Sequence, residues 1–202
     1  MTEFVPDDDR WNHSIRYWRE LLPQVPAHAR TALDVGCGDG FASRSLAARG
    51  LTVTGIDPHA ASIADARAQG GEGVTYVQDD VMTAELAPTG YDVVAAIAVL
   101  HHLPLEAGLV RVRDLVAPGG QLLVVGCAAS DMPRDTLREA AAMVANQVDR
   151  LRHPQWEHAS PTVWPPPVTY RQVATAARAI LPGADFRRRT LWRYTLTWVK
   201  PS

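Results

Sequence analysis

The chain is short of several features that would place it in a familiar class. It has only two cysteines among 202 residues, Cys37 and Cys127, too few for the disulfide framework of a small secreted domain. It has no apolar run of about 18 residues, so we expect no membrane-spanning helix. Its acidic beginning at Asp7-Asp8-Asp9 lacks the hydrophobic segment of a signal peptide. Because the net charge is only −2, which gives no general attraction for polyanions, we expect a cytoplasmic protein with no nucleic-acid or membrane partner.

Two further signatures are missing. The histidines and acidic residues lack the tight spacing of metal ligands, so we expect no metal. The Gly-x-Gly-x-x-Gly fingerprint of dinucleotide-binding enzymes is replaced by Gly-x-Gly-x-Gly at residues 36–40. This turn follows an apolar stretch and precedes a helical pattern, an arrangement that presents backbone N–H groups to a ligand. Asp34, just before the turn, would repel a pyrophosphate but could hold an ammonium group. The turn therefore predicts a nucleotide-like ligand with a cationic amino-acid part.

The rest of the chain alternates short apolar stretches with helical patterns from Thr31 onwards. Such alternation is typical of parallel strands in a sheet that helices cover on both faces. The predicted strands are residues 31–35, 52–56, 74–78, 91–97 and 121–125, followed by a hairpin of residues 184–190 and 194–200. The predicted helices are residues 10–22, 41–49, 60–69, 105–116 and 133–152, and one that begins at a capping box of Thr169 and Gln172 and runs to Ile180.

Taken in order, these motifs resemble those of class I S-adenosylmethionine (SAM)-dependent methyltransferases. The motifs are residues 33–40 at the glycine turn, 55–58 after strand two, 79–81 after strand three, 91–94 with 100–103, and 115–120 before strand five. The resemblance implies an α/β fold with a Rossmann-like seven-stranded sheet of order 3-2-1-4-5-7-6, helices on both faces and an antiparallel last strand. It also implies one methyltransferase domain over residues 1–202. Its parts are a cap helix in 1–30, a SAM-binding core in 31–126, a helix and Trp/Pro lid in 127–168, and the last helix and hairpin in 169–202.

The same resemblance implies where SAM binds. Asp57 is placed to accept hydrogen bonds from the ribose hydroxyls, although it could also cap the next helix. Asp80 is placed for the adenine amino group, with Asp79 as the alternative. The carbonyl of Ala98 is placed for the ammonium group, whereas Asp34 is expected to orient the glycine turn. The predicted cofactor-binding residues are Asp34, Gly36, Cys37, Gly38, Asp57, Pro58, Asp80, Val81, Ile97 and Ala98.

The acceptor of the methyl group is predicted less directly. Alignment of the acceptor supplies much of the rate in such a displacement, and a base is required only where the acceptor must lose a proton. The candidate catalytic residues are Tyr17, His101, His13 and His158. The candidate acceptor-binding residues are Tyr17, His101, Trp156, His158 and Trp164. For each histidine, an ordinary structural role is the alternative, and His102 is expected to turn into the fold.

A narrower resemblance comes from residues 11–17, 160–167 and 191–194, which are similar to those of a bacterial, often actinobacterial, subgroup of small methyltransferases. That subgroup tends to carry further histidines in its first helix, where Arg16 and Trp18 stand in this chain. The difference favours a flat, apolar acceptor of the aromatic or indole type, methylated on carbon or nitrogen with a base. The alternatives are an O-methyltransferase of another small metabolite and a SAM-binding regulator without catalysis. We expect a monomer or a homodimer.

Overall fold

The computed structural model describes residues 7–154, 156 and 163–202. Seven strands form one sheet in the order β3-β2-β1-β4-β5-β7-β6. The strands are β1 (Thr31–Val35), β2 (Thr52–Asp57), β3 (Val74–Gln78), β4 (Tyr91–Ile97), β5 (Val116–Cys127), β6 (Asp185–Arg188) and β7 (Arg193–Val199). Neighbouring strands from β1 to β5 pair in parallel, whereas β7 pairs antiparallel with both β5 and β6. The predicted strand order and the reversed last strand are confirmed.

Six α-helices of the described residues surround the sheet. They are α1 (His13–Leu21), α2 (Phe41–Ala47), α3 (Ala60–Gln69), α4 (Leu105–Leu115), α5 (Thr136–Arg152) and α6 (Tyr170–Ile180). The prediction that the first helix begins at residue 10 is wrong, because the side chain of Asn12 caps the helix by accepting from the N–H groups of Ser14 and Ile15, both at 2.9 Å. The capping box of Thr169 and Gln172 at the start of α6 is confirmed.

Two hydrophobic clusters fill the two faces of the sheet. On one face, Leu109 of α4 and Val173 of α6 are fully buried against β4 and β5. On the other face, Trp18 of α1 and Leu46 of α2 are fully buried against β1 and its neighbours. Helices therefore cover both faces, as predicted, and the carboxyl ends of the parallel strands are left as the edge where side chains can form a site.

Strand β5 is longer than the sequence pattern predicts. Its first residues, which include Pro118, Gly119 and Gly120, pair with neighbouring segments. Val116 pairs with Tyr91 across a register shift, and the N–H of Gly119 and the carbonyl of Gly120 bond to the backbone of Lys200 at 2.9 Å. The prediction that the strand begins at residue 121 is therefore wrong at its amino end.

Helix α5 is oriented with its apolar residues toward solvent. Its apolar residues face outward, with Leu137 86% and Leu151 79% exposed. Its inner face carries acidic residues that bond to other elements: Oε2 of Glu139 accepts from Nε1 of Trp192 at 2.8 Å, and Asp149 is only 7% exposed. Polar contacts rather than apolar packing thus hold α5 over the carboxyl edge of the sheet. In the described part of the chain, no helix is both long and apolar enough to cross a membrane.

Candidate cofactor and acceptor site

The glycine turn lies between the ends of β1, β2 and β4. The N–H groups of Gly36 and Cys37 both donate to the carbonyl of Ile56, at 2.8 and 3.1 Å. Gly36 has φ +63° and Gly38 has φ +55°, a left-handed backbone that glycine adopts without strain. A Cβ on Gly36 would lie 2.4 Å from Cγ2 of Val99. The turn therefore needs glycine at residue 36, both for its backbone angle and for its approach to the segment after β4.

Asp57 ties the turn to the next helix. Its Oδ2 accepts from the N–H of Gly38 at 3.0 Å, and its Oδ1 accepts from the N–H of His59, the residue before α3, at 2.8 Å. A carboxylate offers about four lone-pair positions, so these two bonds leave acceptor capacity for a ligand. Asp57 therefore makes the helix-start contact that was the alternative to ribose binding, and it retains the means to do both.

The predicted residues of the third and fourth motifs lie along the same edge. The N–H of Asp79 donates to the carbonyl of Asp57 at 3.2 Å. Asp80 is exposed and accepts from the N–H of Met82 at 2.9 Å, while Val81 beside it is buried. Ala98 adopts φ +55° although it is not glycine, and its N–H donates to the carbonyl of Val125 at 2.7 Å. The remaining two predicted residues of the edge are Ile97, which is half-buried, and Pro58, which is exposed.

The side chains of Asp34 and Cys37 are buried in the fold below the glycine turn. Asp34 is 1% exposed, and its Oδ2 accepts from Oγ of Ser43 at 2.6 Å. Burial raises the pKa of Asp34 to about 7, against the opposing hydrogen bond from Ser43. Burial also raises the pKa of the Cys37 thiol, which stays protonated at neutral pH. Asp34 thus connects β1 to α2 from inside the fold.

A polar cluster joins α1 to α5. Nε2 of His13 lies 3.4 Å from Oδ2 of Asp149, at ion-pair distance but without a hydrogen bond. The same carboxylate oxygen accepts from Nε1 of Trp11 at 3.2 Å, and the Trp11 ring lies 4.2 Å from that of His153. Burial, with the charges of Arg193 and Arg16, lowers the pKa of His13 against the opposing effect of Asp149. His13 is therefore neutral at pH 7 beside a buried carboxylate.

His101 and His102 follow β4 in a short 3-10 turn, Leu100–His102. His101 is buried, and its Nδ1 has no hydrogen-bond partner. Burial, together with the charges of His102 and Arg193, lowers the pKa of His101 to about 4. His102 is exposed, so the prediction that His102 turns into the fold is wrong: the fold takes in His101 instead.

The other predicted acceptor residues differ in burial and in their contacts. The ring of Tyr17 is buried, and its hydroxyl lies 2.6 Å from Oγ1 of Thr190. The N–H of Trp156 donates to the carbonyl of Trp11 at 2.7 Å, and Trp164 is 60% exposed. The candidate His158 lies outside the described residues.

Two cavities flank α5. One of about 470 Å³ lies between α1 and α5 and is lined by Trp11, Arg16, Asp149 and His153, among other residues. The other, of about 340 Å³, lies nearer the amino end of α5 and is lined by Arg138, Glu139, Tyr170 and Trp192, among other residues. The first cavity contains Asp149 of the pair described above, so an acceptor bound there would lie beside that pair.

Comparisons with known proteins identify the family of this chain. A family described as a methyltransferase domain matches residues 33–124. An uncharacterized methyltransferase of Mycobacterium tuberculosis is 37% identical over 196 residues, which covers 96% of this chain and 99% of the relative. The chain belongs to the class I SAM-dependent methyltransferases.

Other similar proteins support the fold. A putative SAM-dependent methyltransferase of Listeria monocytogenes matches with a TM-score of 0.63 at 16% identity, over 94% of this chain and 98% of that one. A phosphoethanolamine N-methyltransferase of Haemonchus contortus in complex with SAM matches with a TM-score of 0.64 at 16% identity, over 95% of this chain and 53% of that one. A ubiquinone biosynthesis O-methyltransferase of Serratia proteamaculans is 36% identical over 134 residues, covering 64% of this chain and 54% of the relative.

The donor set at the strand ends fits the methyl donor of this family. It offers an anchored carboxylate at Asp57 for a diol, an exposed carboxylate at Asp80 for an amino group, and close backbone approach at the glycine turn. Among the described residues, no group of three His, Cys, Asp or Glu side chains is placed to hold a metal ion.

Two residues of the candidate site, Asp149 and Arg193, were not predicted from the sequence. Asp149 reads in the sequence as one of several charges on a surface helix, and Arg193 as part of a terminal strand. Each contacts a residue of α1 that is more than 130 positions away, so no local pattern marks them. The one available signal was the tendency of the subgroup to place histidines in the first helix. A buried histidine requires polar partners, so His13 implied a partner on another element.

Proposed function

We propose that this methyltransferase transfers a methyl group from SAM to a small aromatic acceptor of the indole type, on carbon or nitrogen, and that His13 removes a proton from the acceptor. The observation that carries the proposal is the His13–Asp149 pair beside a cavity of about 470 Å³ with an aromatic lining. Trp11 and His153 both line the cavity, with their rings 4.2 Å apart, and aromatic side chains of this kind pack favourably with flat aromatic molecules.

When bound, SAM supplies an activated methyl group, so the chain chiefly has to hold and orient both partners. Asp57 would hold the ribose hydroxyls, Asp80 the adenine amino group, and the carbonyl of Ala98 the ammonium group. The glycine turn would lie against the methionine part. The 3-10 turn of His101 would close the site beyond β4. These assignments rest on the placement of the residues at one edge of the sheet.

The proton of the acceptor would go to His13. Asp149 lies on the Nε2 side of the ring at 3.4 Å, which favours the tautomer with its proton on Nε2 and leaves the Nδ1 lone pair to accept a proton. The lowered pKa of His13 keeps the ring neutral at pH 7. After the transfer, the buried carboxylate of Asp149 stabilises the imidazolium. Methyl transfer to a neutral indole releases one proton, from the ring N–H or from the carbon that is methylated, and a base accepts it.

Labelled SAM tests the proposal. We expect methyl transfer to a panel of indoles and tryptophan diketopiperazines, with a carbon- or nitrogen-methylated product by mass spectrometry and NMR. His13→Asn should lower kcat by about 100-fold or more, within the range of general-base catalysis, and Asp149→Asn should lower it and move the pH profile. Both variants should bind S-adenosylhomocysteine normally in calorimetry. His28→Asn, at an exposed histidine remote from the cluster, is the matched control.

Two other outcomes would replace this proposal. Products methylated only on oxygen would favour the O-methyltransferase alternative, in keeping with the partial match to ubiquinone biosynthesis O-methyltransferases. Binding of S-adenosylhomocysteine without methyl transfer to any acceptor in cell extracts would favour a regulatory protein. Full activity of His13→Asn on an indole acceptor would show that His13 is not the base.

A further inference from the structure

Arg193 is a half-buried cation that no acidic side chain neutralises within the described residues. It opens β7 at the carboxyl edge of the sheet. Its Nε donates to Oγ of Ser14 at 3.0 Å, and its Nη1 reaches the carbonyl of Leu191 at 3.4 Å. No described Asp or Glu oxygen lies within the 4.0 Å of an ion pair. Most of the other partly buried arginines are paired: Arg10 with Asp39 and Arg188 with Asp135, at 2.6 and 2.7 Å.

Two buried ring nitrogens whose pKa Arg193 affects have no hydrogen-bond partner. Buried side-chain nitrogen or oxygen atoms without a hydrogen bond number three in the described part of the chain, and two of them are Nε2 of His13 and Nδ1 of His101. The charge of Arg193 acts on both of these rings. They come from α1 and from the turn after β4. Arg193 bonds to Ser14, the residue after His13, and pairs with Cys127 at the end of β5, the neighbour of β4.

The Nη2 side of the Arg193 guanidinium indicates which kind of ligand it could bind. Nη2 of Arg193 bonds to none of the described residues and is not among the enclosed atoms without a partner, so it is open to solvent. The planar fork of a guanidinium matches the two oxygens of a carboxylate. A neutral imidazole can donate one further N–H to the same group.

We propose that Arg193 binds a carboxylate of the methyl acceptor and that His101 donates a second hydrogen bond to it. This inference rests on the proposed function, because it names the class of acceptor at the same site: an aromatic acid rather than a neutral ring. Ser14 holds Nε, which directs the Nη edge toward the acceptor. The carboxylate of Asp149 lies against His13 and Trp11, so the ring of the acceptor occupies the cavity beside Asp149 and its carboxylate lies on the Arg193 side.

Calorimetry on the complex with S-adenosylhomocysteine tests the carboxylate site. The probes are pairs of an acid and its amide, indole-3-acetate with indole-3-acetamide and benzoate with benzamide. We expect each acid to bind at least 10-fold more tightly than its amide. Arg193→Gln should abolish this preference, and Arg193→Lys should retain part of it. Arg187→Gln is the matched control, since Arg187 is an exposed arginine of β6 paired with Asp185.

The outcomes separate this inference from the proposed function. An unchanged preference for acids in Arg193→Gln, or no preference in the unmodified protein, overturns the carboxylate site while leaving methyl transfer in place. A melting temperature and an affinity for S-adenosylhomocysteine close to those of the unmodified protein establish that the Arg193 variants are folded. A methyl ester as the enzymatic product would support the carboxylate site and overturn the assignment of a carbon or nitrogen nucleophile.

Discussion

Among single residues, Gly36 combines a left-handed backbone with a close side-chain neighbour. Alanine at this position would be strained at φ +63° and would place its Cβ 2.4 Å from Cγ2 of Val99. We expect Gly36→Ala to lower the free energy of unfolding by more than about 2 kcal/mol and to weaken binding of S-adenosylhomocysteine. Chemical denaturation and calorimetry measure the two effects.

The chain offers a matched control for Gly36→Ala. Gly50 has φ +86° with no heavy atom within 4 Å of an added Cβ, so Gly50→Ala carries the backbone strain alone. We expect it to cost about 1 kcal/mol and to leave ligand binding unchanged. The double variant Gly36→Ala/Val99→Ala should recover part of the loss. Equal effects of Gly36→Ala and Gly50→Ala on the free energy of unfolding would show that the contact with Val99 does not contribute to the loss.

Asp34 makes stability depend on pH. Its pKa is raised to about 7 in the fold, against about 3.9 in an unfolded chain. Between these values the folded state holds a proton that the unfolded state has released, so the free energy of unfolding falls as pH rises from about 4 to 7. Asp34→Asn keeps an acceptor for Ser43 without this titration. We expect its stability relative to the unmodified protein to rise by roughly 1–3 kcal/mol from pH 5 to pH 8.

Denaturant titrations at several pH values measure that difference. Asp65→Asn, at an exposed carboxylate of α3, is the control and should give a curve parallel to that of the unmodified protein. His13 and His101, whose pKa values are lowered, titrate in both proteins and cancel in the comparison. A parallel curve for Asp34→Asn would mean that Asp34 is ionised throughout.

Among the elements, α5 behaves unlike an ordinary amphipathic helix. Leu137 and Leu151 are largely exposed, and exposed side chains contribute little to stability. We expect Leu137→Ser and Leu151→Ser to change the free energy of unfolding by less than about 0.5 kcal/mol. Leu109→Ala, at a fully buried residue of α4, should cost about 2–5 kcal/mol. A loss above about 1 kcal/mol in the α5 variants, or a smaller species in size-exclusion chromatography, would mean that this face is covered in solution.

The elements also show what local pattern predicts and what it does not. Strands β1, β3 and β4 and helix α3 have the predicted bounds, because each depends on its own run of apolar residues; β1, β3 and α3 also end before a glycine or an aspartate. The amino end of β5 does not, since its pairing depends on Lys200 at the far end of the chain. The outward stripe of α5 is not predictable either. Its orientation follows from acids whose partners lie on distant elements, such as Glu139 with Trp192.

In the molecule as a whole, the residues before α1 are bound to the cofactor side of the sheet. Nη1 of Arg10 donates to Oδ2 of Asp39 in the glycine turn at 2.6 Å, and its Nη2 donates to Gln69 at the end of α3. The guanidinium also lies 4.6 Å from the ring centre of Trp156. Asp7 pairs with Arg44 of α2 at 2.7 Å. These contacts join the amino-terminal segment, the glycine turn and the segment after α5.

We therefore expect Arg10→Met to weaken cofactor binding as well as stability. Arg10 is only 3% exposed, and the loss of its charge leaves Asp39 without its guanidinium partner inside the turn, a costly state for a partly buried carboxylate. The dissociation constant of S-adenosylhomocysteine should rise about 10-fold, equivalent to about 1.4 kcal/mol, as measured by calorimetry. Arg49→Met, at an exposed arginine just after α2, should leave it unchanged. A lower melting temperature with normal affinity would instead assign Arg10 a role in stability alone.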